Sequence, residues 1–139
     1  MRQIKFRVWN TNLNRFMRED EKNDNYMDVT TGKLVSNCYA VHEYGNATEY
    51  YNDGSYKLLQ FTGLKDKNGV EIYEGDIVKA IWSGDCEEYI ANEEWIGDIF
   101  FNCGSFDING EWCVPLNCFN GKFEVIGNIY QNHELLERK

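Results

Sequence analysis

Apolar and polar positions alternate with a period of two along most of the chain, and runs with helical spacing are scarce. Ile4, Phe6 and Val8 interleave with Lys5, Arg7 and Trp9, which predicts a first strand. Residues 10–14 then read as a turn and Arg15-Phe16-Met17 as the return strand. Residues 18–32 are polar and read as a loop, and Lys33 to Tyr44 follows as a candidate strand. Asn52-Asp53-Gly54-Ser55 marks a turn, after which Tyr56 to Thr62 reads as a strand. Asp66-Lys67-Asn68-Gly69 predicts a tight hairpin, because Asn-Gly tolerates the positive φ angles of a type I′ turn.

Val70 to Tyr73, Ile77 to Trp82, Ile99 to Phe101, Trp112 to Leu116 and Lys122 to Tyr130 read as further strands. Turns at Glu74-Gly75-Asp76, Asn109-Gly110 and Asn120-Gly121 punctuate them. Ile77 to Trp82 reads as the most buried, and Phe123, Val125, Gly127 and Ile129 fall on one face of the last strand. The end changes character. Asn132 is placed to cap a short helix opening at His133-Glu134-Leu135-Leu136, with Glu134 early and Arg138 and Lys139 late, as the helix dipole favours.

Many short strands with frequent turns predict an all-β or β-rich protein, a small barrel-like β domain with a short C-terminal helix. The Gly-Asp that enters the apolar strand at Gly75-Asp76-Ile77-Val78 fits an SH3-like barrel and fits any β-corner equally well. With 139 residues, one domain spanning 1–139 is expected.

Composition narrows the class. Apolar residues at 42 % and aromatics at 15 % are enough to build a core, which argues against global disorder. No apolar run approaches the ~20 residues of a membrane span, and the basic N-terminus has no apolar stretch behind it. A cytoplasmic location is the expectation. Five Cys, an odd number without an export signal, argue for reduced thiols, mostly packed as small apolar groups.

The charge is segregated. The chain carries −9, yet residues 80–121 hold eight acids and no Lys or Arg, while residues 1–18 hold five basic side chains and no acid. Phosphate binding needs Lys or Arg, so the acidic segment disfavours nucleic acid as a partner there.

Three segments resemble one known family. They are Ile4-Lys5-Phe6-Arg7-Val8-Trp9, the long run from Leu59 through Thr62-Gly63-Leu64-Lys65-Asp66-Lys67-Asn68-Gly69 to Val78, and Phe123 to Leu136. Their order and position resemble the YopX family of phage and prophage proteins across the whole chain. The resemblance implies a compact β-rich phage protein and brings no reaction or functional residue with it. Within the central run, Thr62, Gly63, Asp66, Asn68, Gly69, Tyr73, Glu74, Gly75 and Asp76 form a motif that fits either architecture or a site.

Candidate chemistry is sparse. Cys113 and Cys118, with Cys103 and Cys86 upstream, lack the paired two-residue spacing of zinc sites, and incidental thiols are the better reading. His42 and His133 stand far apart in sequence, so no Cys–His nucleophile is evident. Asp66, Glu74 and Asp76 have the residue types for a divalent cation, but such acids more often accept local backbone N–H bonds in turns. No metal and no cofactor is therefore expected. The acidic segment supplies the partner-binding candidates Glu87, Glu88, Glu93, Glu94, Trp95 and Asp98. Lys5 and Arg7 beside Trp9 offer a small basic face for single-stranded nucleic acid. They also offer a counterpart for the acidic segment of a second copy.

The function expected from these features is that of a non-enzymatic accessory protein that binds a host or phage protein, with homo-oligomerisation and no membrane association. The alternatives are an acidic mimic of nucleic acid that inhibits a DNA-binding protein, and an enzyme using Cys or the Asp66–Glu74–Asp76 carboxylates.

Overall fold

A computed structural model describes residues 3–18, 25–28, 33–36, 56–82, 93–110, 114–119 and 122–137. The fold is all-β and barrel-like, with a sheet curled as a half barrel. The chain divides into two compact units, Phe6–Leu59 and Met1–Lys5 with Gln60–Lys139.

In the first of these, β1 (Phe6–Asn10) and β2 (Arg15–Phe16) form a hairpin with Trp9 opposite Phe16. Asn10 closes it by accepting the N–H groups of Asn12 and Leu13 on Oδ1. Asn14 takes the left-handed conformation that Asn tolerates (φ 52°). Trp9 is buried and meets Phe16 edge-on at 4.8 Å. β3 (Asn25–Asp28) pairs with β4 (Lys33–Ser36), so part of the polar stretch expected to be loop is a strand. The register sets Tyr26 opposite Val35 and Met27 opposite Leu34.

β5 (Tyr56–Lys65) starts in that unit and ends in the other, where it pairs with β6 (Glu71–Tyr73). The sheet order is β2–β1–β5–β6. A second sheet has the order β10–β9–β8–β7–β11, from β7 (Asp76–Trp82), β8 (Glu93–Asn102), β9 (Ser105–Asn109), β10 (Val114–Pro115) and β11 (Phe123–Asn128). Its core face carries Val78, Ala80, Ile99, Ile108 and Phe123, which pack with Ile72, Leu116 and Phe119. Pro115 sits on the edge strand, the place in a sheet where Pro is tolerated. β8 is longer than expected because Glu93-Glu94-Trp95 continues the alternation.

Some expectations about local geometry are corrected. Asn68-Gly69 is not a type I′ turn: Gly69 has φ 81°, but Asn68 is not among the positive-φ residues. The Asp66 carboxylate organises this turn instead. The I′ signature falls at Cys103-Gly104, with φ 47° and 88°, between β8 and β9. In β11 the register shifts between Val125 and Gly127, so the single apolar face does not continue past Val125.

The C-terminal helix is one 3-10 turn, His133–Leu136, and Asn132 makes no side-chain cap. Its Oδ1 is turned back to accept the Asn128 N–H at 3.3 Å. Asn132 also lies over Gly127, where an added Cβ would sit 2.6 Å from that oxygen. Four residues cannot close more than one helical turn, so tighter i→i+3 bonding prevails.

Candidate functional site

The motif corner runs from β5 through β6 into β7. Asp66 is buried, and three backbone N–H groups reach its carboxylate. Asn68 and Val70 donate to Oδ1 at 2.8 and 2.9 Å, and Val125 of β11 donates to Oδ2 at 3.0 Å. Burial pushes the acid's pKa up, but these bonds and the neighbouring Lys67 outweigh it and hold the carboxyl below its ordinary range.

Thr62, Glu74 and Asp76 follow the same pattern. The Thr62 hydroxyl donates to the Ile72 carbonyl at 2.9 Å and accepts the Leu64 N–H at 3.1 Å. Glu74 Oε2 accepts the Gln60 N–H, and the Glu74 N–H returns to the Gln60 carbonyl. Asp76 Oδ2 accepts the Tyr73 N–H at 2.9 Å. Gly63 and Gly75 supply the left-handed corners, at φ 87° and 79°.

Asp66, Glu74 and Asp76 thus aim at separate backbone groups rather than at a common point. Among the described residues no three His, Cys, Asp or Glu gather as metal ligands do. Glu71 lies on the same hairpin. The Lys5 ammonium and the Tyr73 hydroxyl both donate to it, and these bonds lower its pKa.

The second sheet has a different character on the face opposite its core. Cross-strand partners share a face, so Glu124, Lys79 and Ile96 form one row across β11, β7 and β8. Lys122, Ile81 and Glu94 form the next row, as the Ile81 N–H bonds the Lys122 carbonyl and Ile81 opposes Glu94. Lys79 pairs with Glu94, whose hydrogen bond and charge raise the lysine's pKa. Lys67 pairs with Glu124 at 2.8 Å. Ile81 is 45 % exposed, a large aliphatic group ringed by these charges.

The structure separates residues that the sequence listed side by side. Glu94 and Asp98 lie on this outer face, but Trp95 lies on the core face, half-buried and edge-on to Phe119. Glu94 does have a counter-charge, Lys79, supplied by the neighbouring strand. Glu93 opens β8 opposite Trp82, while Glu87 and Glu88 lie outside the described residues. Trp9 is buried, at 1 % exposure, and cannot serve as a stacking platform beside Lys5 and Arg7.

The Arg7 guanidinium instead lies 4.4 Å from the Phe16 ring centroid. His133 is exposed, 3.6 Å from Glu137. Cys103 is an exposed free thiol. Cys38, Cys86, Cys113 and His42 lie outside the described residues. Lys79, Ile81, Lys122 and Glu124 escaped the sequence reading, although the alternation Ile77-Lys79-Ile81 carried the signal.

The YopX protein family model matches residues 5–137. The chain belongs to the YopX family. Among solved structures, this YopX chain is similar to protein EF1440 from Enterococcus faecalis, at 25 % identity and a TM-score of 0.54 over 98 % of this chain and 99 % of that one. No curated protein matches the chain. Among the described residues no helix is long and apolar enough to cross a membrane.

Proposed function

We propose that this YopX-family chain is a phage or prophage accessory protein that acts in the bacterial cytoplasm by binding another protein, without catalysis of its own. One observation carries the reading. Thr62, Asp66, Glu74 and Asp76 of the most distinctive motif bond the backbone, while the outer face of β11–β7–β8 presents charges around an exposed aliphatic centre. An apolar centre with a charged rim is the anatomy of a protein interface. The nucleic-acid-mimic alternative is weaker, because Lys79 and Lys67 neutralise Glu94 and Glu124 on that face.

The test is co-purification of tagged protein from nuclease-treated host lysate, with and without phage induction. A stoichiometric protein partner is expected, and it should be lost on reversing Glu87, Glu88, Glu93 and Glu94. Capture of nucleic acid, or of nothing in either lysate, would overturn the reading.

A further inference from the structure

We infer that the outer face around Ile81 is a two-fold contact between two copies of this chain. This rests on reading that face as a binding surface, and it names the occupant. Charges follow a fixed order across the strands of this face. Lys122, Ile81 and Glu94 lie side by side, so the row reads cation, aliphatic, carboxylate. A two-fold axis lying in the face and running along β7 sets Ile81 against Ile81 of the second copy. It also reverses the row, so that Lys122 of each copy meets Glu94 of the other. Isologous contacts require this kind of self-complementarity.

The adjoining row tolerates the same operation. Lys79 comes to face Lys79, but each is already paired with its own Glu94 and flanked by Glu124. Glu124 meets the half-buried Ile96 and keeps its Lys67.

Net charge points the same way. A chain carrying −9 repels its copies over most of its surface. In the two rows around Ile81, Lys79 and Lys122 balance Glu94 and Glu124, so contact centred on Ile81 brings together no excess charge from these rows. Ile81, 45 % exposed, gains burial that the monomer denies it.

Sedimentation velocity across a concentration series tests this. The wild type is expected to show a reversible monomer–dimer equilibrium that weakens with added salt, because its rim is ionic. Ile81→Asp should leave a folded monomer. Lys122→Glu alone and Glu94→Lys alone should each weaken the dimer at least about tenfold, since like charges then face each other twice. Mixing these two variants should restore dimerisation. On one side of the mixed pair the carboxylate introduced by Lys122→Glu meets the ammonium introduced by Glu94→Lys, and the other side keeps the native Lys122–Glu94 contact. That recovery cannot come from misfolding.

A wild type that stays monomeric at every concentration would overturn the inference, as would a dimer indifferent to Ile81→Asp or a mixture that fails to recover. The co-purification above, run at monomeric concentrations, is read separately. A captured partner with no dimer rejects the self-contact and keeps the binding role. A dimer with no captured partner does the reverse.

Discussion

The motif corner and the outer face of the second sheet are both rich in charged residues, yet they use them in opposite ways. At the corner Asp66, Glu74 and Asp76 each accept bonds from backbone N–H groups, and Thr62 bonds the backbone twice. On the outer face Glu94 and Glu124 meet lysine side chains at the surface. A carboxylate bonded to buried backbone resists replacement, because its loss leaves donors without acceptors. A surface ion pair can be exchanged with little consequence for the fold. A prominent run of polar residues can therefore mark architecture, while a less distinctive alternation of Lys and Ile marks an exposed face.

The contrast breaks most visibly at Asp66. Asp66→Ala should destabilise the protein by about 3 kcal/mol in urea unfolding, the scale expected when several backbone donors lose a charged acceptor. A loss below about 1 kcal/mol would return the corner to the list of functional sites. The same group gives a pH signature. Its folded-state pKa is depressed, so its contribution is fully present above the unfolded value of roughly 3.9 and is lost as pH falls through the lower folded value. Acid unfolding curves of wild type and Asp66→Asn should converge at low pH and separate above it.

Thr62→Val keeps the shape but removes the hydroxyl, and should cost about 1–2 kcal/mol by the same assay. Lys79→Ala sits at the far end of the comparison. It should leave the unfolding midpoint unchanged within error, and a clear loss would mean that the outer face is architectural after all.

The fold class was legible because period-2 alternation and Asn-Gly or Gly-Asp corners are local signals. β7 and the β5–β6 hairpin were found in this way. What escaped was set by partners remote in sequence. Asp66 organises its turn together with Val125, and no local rule pairs residues so far apart. Trp95 was grouped with Glu94 and Asp98 by proximity in sequence, but strand alternation sends it to the other face. The counter-charge of Glu94 came from Lys79, one residue before the segment that reads as purely acidic. The C-terminal helix is a single 3-10 turn, and Asn132 accepts the Asn128 N–H of β11 instead of capping it, a pairing that the local helix-start signal does not contain.

The bond between Asp66 and Val125 has a kinetic consequence. It spans 59 residues, and the Lys67 N–H reaches the Phe123 carbonyl beside it. Contacts this distant in sequence close large loops and form late in folding. Until they form, the side of β11 away from β7 has open hydrogen-bonding groups on which another chain can template. Losing this tie should therefore speed unfolding far more than it slows refolding, a split that stopped-flow rates of Asp66→Asn would reveal. Equal changes in both rates would place the tie in the nucleus instead.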